Sequence, residues 1–198
     1  MKKIFILLLI SCMAVTMAAC GSRIGEITEI ATGNHQTPLQ TQPTEIEWKK
    51  VANPVMTTSA SSTYSGDRAT HDAINLLDGD TKTNWTEGVQ GDGIGEYVEF
   101  TFVDNYLLNA IFIYPGNQYD EDRYLDNSRP EKVSVTFSDG TTIGFTLKDM
   151  MDGQAMVMPE PVMTDSVRIT IHSVFHGAKY TDTVISDVSF DAYAPNVK

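Results

Sequence analysis

Cysteine is nearly absent from this 198-residue chain: only Cys12 and Cys20 occur, both close to the N-terminus. Beyond residue 20 there can be no disulfide, no thiolate nucleophile and no cysteine-held metal cluster, so a domain there must rest on its apolar core. Basic residues are scarce as well. Fourteen Lys and Arg stand against 26 Asp and Glu, for a net charge of −12. Such a surface repels phosphate backbones and anionic headgroups, which excludes nucleic-acid binding and polybasic membrane docking, while it suits divalent cations. Helical periodicity is missing too: no amphipathic segment after residue 45 exceeds about two turns. Neither a G-x-S-x-G elbow nor an H-E-x-x-H pair is present. In so acidic a chain a pair of nearby carboxylates carries no weight for a glycosidase. The chain reads as a binder, not an enzyme.

The N-terminus supplies Lys2 and Lys3, an apolar run over residues 4–10, and Met17-Ala18-Ala19 before Cys20. That is the layout of a secretory signal, too short in its apolar run for a membrane span. With Gly21-Ser22 following, it resembles a bacterial lipobox, which implies cleavage after residue 19, acylation of Cys20 and an extracytoplasmic, lipid-anchored protein. Removing residues 1–19 takes away two lysines and no acid, moving the charge from −12 to −14. Residues 20–47, rich in Thr, Gln, Pro and Gly, form a flexible tether. A domain over residues 48–194 follows, a size that a single core supports.

Within it strand patterns dominate. Val98, Phe100 and Phe102 alternate with polar neighbours in EYVEFTF, and LLNAIFIY follows as a second strand. KVSVTFSDGTTIGFTL reads as a hairpin turning at Asp139-Gly140, with Val133, Val135 and Phe137 facing Ile143, Phe145 and Leu147. AMVMPEPV, SVRITIHSVF and VISDVSFDAY complete the set. Short antiparallel strands separated by turns predict an all-β fold, an antiparallel β-sandwich of jelly-roll type, whose function falls to its end loops.

One loop needs a decision. LLDGDTKTNWTEGVQGDGIGEYVEF (residues 76–100) holds five glycines and three aspartates. A phosphate cradle needs a helix after the glycines, and here a strand follows. An EF-hand needs glycine where Thr83 stands. Two readings stay open: Asp78, Asp80 and Thr83, with Asp187, cage a structural Ca²⁺, or the aspartates cap a tight turn. His172 and His176 lack a third ligand for zinc. Asn84-Trp85-Thr86 forms a glycosylation sequon, incidental in a bacterial lipoprotein.

NLLDGD (residues 75–80), the W-x-E-G-V-x-G-D-G-I-G-E run (85–96), YPGNQY (114–119), DNSRPEKV (126–133), FSDGT (137–141) and GAKYTDTVISDV (177–188) carry a family resemblance. Together they resemble the galactose-binding-like, discoidin-type (coagulation-factor type C) module, and within it the bacterial NADase-type glycan-binding or translocation domain. The resemblance spans nearly all of residues 51–193. It implies a jelly roll with a non-catalytic carbohydrate-binding role, whose partner is a glycan or cell-wall polysaccharide. A protein-interaction or translocation adaptor, meeting an envelope protein through the same loops, is the alternative.

Sugar recognition needs flat apolar rings and planar polar groups beside them. The loop YPGNQYDEDRYLDNSRP offers Asn117, Tyr119, Arg123, Tyr124, Asn127 and Arg129, with Tyr119 at its tip. Lys179 and Tyr180 extend the set, and Trp85 either stacks on a sugar or plugs the core beneath the Asp78-Gly79 turn. Arg129 has an ion-pair role as its alternative, with Asp126 or Glu131.

Overall fold

Two long, bent strands organise the molecule. In the computed structural model, which describes residues 46–52, 54–66 and 71–196, the segments expected as separate strands on either side of Val103-Asp104-Asn105 run together as β4, Tyr97–Pro115. AMVMPEPV and SVRITIHSVF likewise merge into β7, Gln154–Phe175. The signal sequence, Cys20 and nearly all of the tether fall outside the described residues.

Around these two lie β1 (Trp48–Val51), β2 (Val55–Ala60), a 3-10 turn (Ala73–Leu77), β3 (Trp85–Thr86), helix α1 (Glu121–Asp126), β5 (Arg129–Phe137), β6 (Thr142–Thr146) and β8 (Val184–Pro195). All strand pairings are antiparallel, in the order β1-β8-β4-β7-β5-β6, with β2 added on β4 and β3 on β8.

The sheet folds on itself because β4 and β7 bend together. Their register shifts between Thr101 and Tyr106, opposite a connection pinned by the buried Thr164, whose hydroxyl donates to Ser166 O at 2.6 Å and accepts from Ser138 N at 3.1 Å. Below the bend, residues 97–101 pair with β2 and with the β7 half that β5 and β6 extend. Above it, residues 106–115 pair with β8 and the first half of β7. Phe190 on β8 receives Phe100 and Phe102 edge-on, each with ring centroids 5.1 Å apart, so the two halves face one another across one core. Pro159 and Pro161 sit in the exposed stretch of β7 that skips register opposite β4, where a missing N–H costs no ladder bond.

The predicted β5–β6 hairpin is present. Gly140 takes φ 84°, and Asp139 accepts the Thr141 N–H at 2.8 Å. At the other end of the sandwich the chain leaves β4 and β7 and enters β5 and β8. Bridges Gly116–Ile185 and Ser128–Thr183 gather those loops into one rim.

Candidate functional site: a groove in the loop rim

The rim is built from below by three of the candidate ligand residues. Trp85 is wholly buried and its Nε1 donates to Ser62 O at 2.9 Å, so it plugs the core and presents no face to a ligand. Tyr124 and Arg129 are also enclosed. The Arg129 guanidinium forms a two-pronged pair with Asp149 (2.6 and 2.7 Å) and lies 4.8 Å from the Tyr124 ring, whose hydroxyl donates to Asp149 at 3.1 Å. The expected partners of Arg129, Asp126 and Glu131, give way to Asp149. Arg129 holds the carboxyl of Asp149 below the usual range, and burial pushes the Tyr124 phenol up to about 12. Trp85 and Arg129 follow their structural alternatives, a core plug and an ion pair, and the expectation that Tyr124 touches ligand is corrected: each buries a large side chain that locks the loops in place.

Glu87 does the same for the glycine-rich run. With no exposed surface, its carboxylate accepts Val89 N at 2.8 Å and Thr183 N at 3.2 Å, stapling residues 88–95 to the entry of β8. Burial raises its carboxyl above the ordinary value. Gly93, at φ 64°, packs so closely that an added Cβ would stand 2.6 Å from Glu87 Cγ. The glycines therefore serve loop geometry.

The Asp78-Gly79 turn shows how its aspartates are used. Asp78 accepts Asp80 N at 2.8 Å and the Thr83 hydroxyl at 2.6 Å, Asp80 accepts Lys82 N at 3.0 Å, and Asp187 accepts Gly79 N at 3.0 Å. Burial pushes the Asp187 carboxyl up to about 6, with neighbouring Asp78 adding to the rise. The four residues expected around calcium do come together, but these oxygens cap backbone N–H groups and a hydroxyl. Among the described residues no group of three or more acidic, His or Cys side chains is poised for a metal. The donor set fits turn capping better than a cation cage. A cavity of about 510 Å³ beside this turn, walled by residues such as Val55, Leu77, Val188 and Phe190, has Asp78 and Asp187 as its charged groups and no exposed aromatic.

A second concavity, about 210 Å³, opens in the rim itself. Tyr64 and Tyr180, 40% and 45% exposed, belong to its wall, with Asn117, Asn127, His71, Thr86, Asp182 and Val184 between. Its size falls below the ~300–1,000 Å³ of sites for drug-sized ligands and suits one sugar ring. Asn117 Oδ1 accepts Tyr119 N at 3.1 Å, and Asn127 Nδ2 donates to Arg123 O at 2.8 Å. Each amide thus spends one end on the loop and keeps the other for the groove. His71 Nδ1 lies 2.6 Å from Asn84 Oδ1, which also accepts the Thr86 hydroxyl at 2.8 Å. An amide oxygen only accepts, so Nδ1 carries the proton and Nε2 is left as an acceptor. Tyr64 meets the His71 ring edge-on at 5.5 Å.

Of the predicted ligand residues, the structure brings Asn117, Asn127 and Tyr180 into this groove. Lys179 stands just outside, 4.8 Å over the Tyr180 ring and 3.9 Å from Asp126. Tyr119 is at a loop tip, 50% exposed, but one ring face carries the Arg123 guanidinium at 4.0 Å, and Lys82 lies 6.0 Å from its centroid. Neither Tyr119 nor Arg123 lines the groove. Tyr64, His71 and Asp182 were not anticipated. The stretch carrying Tyr64 and His71 has no strand alternation, and it joins the rim through contacts distant in sequence: Tyr64 N donates to Thr86 O at 2.9 Å, Trp85 holds Ser62, and His71 meets Asn84. His172 and His176 diverge, one toward Ser134 and the other toward Asp92.

A family model described as NAD glycohydrolase translocation F5/8 type C domain matches residues 48–191. No curated protein sequence matches the chain significantly. Solved structures of similar fold include the family 32 carbohydrate-binding module of Clostridium perfringens NanJ in complex with galactose (TM-score 0.55, 19% identity, covering 74% of this chain and 100% of that one). An F5/8 type C domain from Bacteroides fragilis is comparable (0.54, 15%, 76% and 98%). So is the family 32 module of AlyQ in complex with 4,5-unsaturated mannuronic acid (0.51, 15%, 71% and 97%). At these identities the likeness establishes the discoidin-like jelly roll and nothing finer.

Proposed function

The chain belongs to the NAD glycohydrolase translocation F5/8 type C domain family, and from that premise we propose that it is a non-catalytic carbohydrate-binding domain displayed outside the bacterial cytoplasm on a lipid anchor at Cys20. The observation that carries this reading is the rim groove. It combines two exposed tyrosines with two carboxamides, an imidazole and a carboxylate. Tyrosine faces take the C–H-rich side of a sugar ring, and planar polar groups bond its hydroxyls.

Tyr64, His71, Asn117, Asn127, Tyr180 and Asp182 form the contact set, with Tyr119, Arg123 and Lys179 at its margin. The Thr86 hydroxyl lies 3.1 Å from His71 Nδ1, but it is buried and donates to Asn84 Oδ1 at 2.8 Å, which supports binding without turnover. A shallow site of this size binds weakly, and many anchored copies on one surface compensate through avidity. A second reading, a translocation or protein-interaction adaptor using the same loops, draws support from the family's description. Glycan-array screening of the full chain separates the two. Retention of polysaccharides, lost in Tyr180→Ala, supports the first. Capture of envelope proteins with no glycan retained at millimolar sugar supports the second and overturns the first.

A further inference from the structure

Among the described residues, the groove has one charged group that the rest of its wall does not neutralise. Asp182 is half-buried in the lining, and among the described residues it takes part in no hydrogen bond or ion pair. No Arg or Lys lines the groove among those residues. The nearest use of a lysine is instructive: Lys179 places its ammonium 4.8 Å over the Tyr180 ring, at the groove's edge, and 3.9 Å from Asp126. The protein thus already binds one ammonium through a tyrosine face and a carboxylate. Asp182, beside Tyr64 and Tyr180, offers the same pair of attractions to an incoming cation. An overall charge of −12 raises the local concentration of cations and lowers that of anions.

We propose that the groove selects sugars by charge: it takes a hexosamine whose free amine is protonated in preference to the neutral sugar, and it rejects uronates. The amine donates to the Asp182 carboxylate while the tyrosines enclose it. Asn117, Asn127 and His71 Nε2 bond the ring hydroxyls. A uronate would place its carboxylate against Asp182 with no cation in the described wall to neutralise it. This inference rests on the sugar-binding reading of the groove and names the ligand class of that same site.

The test is a titration of the full chain, followed by NMR or calorimetry at pH 7, with four sugars differing only in charge and substituent. Galactosamine, N-acetylgalactosamine, galactose and galacturonic acid form one series, and the gluco epimers a second. In at least one series the amino sugar is expected to bind about fivefold tighter than the neutral ones, the strength of a partly shielded ion pair, with the uronate weakest. Asp182→Asn brings the ratio of amino to neutral affinity to about one, whatever its effect on absolute affinity, and Lys179→Gln does not. Equal binding of amino and neutral sugars overturns the inference and leaves the carbohydrate-binding function standing. So does a uronate that binds best, or an amine preference that survives Asp182→Asn. If no sugar of either series binds, both fall.

Discussion

Asn84 contacts no solvent to speak of, yet it determines what His71 can do. By accepting from Nδ1 and from Thr86 it fixes the tautomer of the neutral His71 ring, which lines the groove. His71→Ala should therefore weaken sugar binding about tenfold or more, and Asn84→Ala should weaken it while also costing ~1–3 kcal/mol of stability for two donors left unpaired. Both are read by titration alongside thermal unfolding. Tyr180→Ala should weaken binding far more than Tyr119→Ala, because Tyr180 lines the groove and Tyr119 does not. Comparable losses would move the site to the loop tip. Asp187 makes a prediction of a different kind. Its carboxyl, raised by burial to about 6, binds its proton more tightly in the folded than in the unfolded chain. Stability then falls as pH rises from the unfolded value near ~4 through about 6. Asp187→Asn, which keeps an acceptor for Gly79 N, should raise stability at pH 7 by roughly 1–3 kcal/mol and change it little at pH 3.5. A variant that instead melts lower, in a protein that chelator also destabilises, would restore a calcium cage to these residues.

At the scale of elements, the strands were legible because apolar alternation is local: Val98, Phe100 and Phe102, or Val133, Val135 and Phe137, mark their faces without help from distant residues. The bends were not legible. Val103-Asp104-Asn105 looks like a turn, and only pairing with β7 on both sides makes it the bend of a single strand. The rim was half legible for the same reason. Asn117, Asn127 and Tyr180 stood out as polar or aromatic residues in loops. Whether Trp85, Tyr124 and Arg129 face water or core depends on Ser62 and Asp149, far away in sequence. Their burial has a measurable consequence. Trp85→Ala removes the largest wholly buried side chain and should cost ~3–5 kcal/mol in chemical unfolding. Gly93→Ala adds both a clash with Glu87 and a strained φ, so it should also destabilise, without touching the groove.

The described domain combines one apolar core with one end decorated by polar and aromatic loop residues, and no cysteine beyond residue 20 is available for a disulfide. Anchoring at Cys20 would set that end at the reach of the tether from the membrane; metabolic labelling with a palmitate analogue should mark the wild-type protein and not Cys20→Ser. The most direct test of sugar binding in the rim groove is a two-dimensional amide NMR titration of the full chain with galactose and galactosamine. Shifts confined to signals of Tyr64, His71, Asn117, Asn127, Tyr180 and Asp182, saturating at millimolar sugar, are the predicted result. Shifts centred on the Asp78–Asp187 cavity, or none at any sugar concentration, would contradict it.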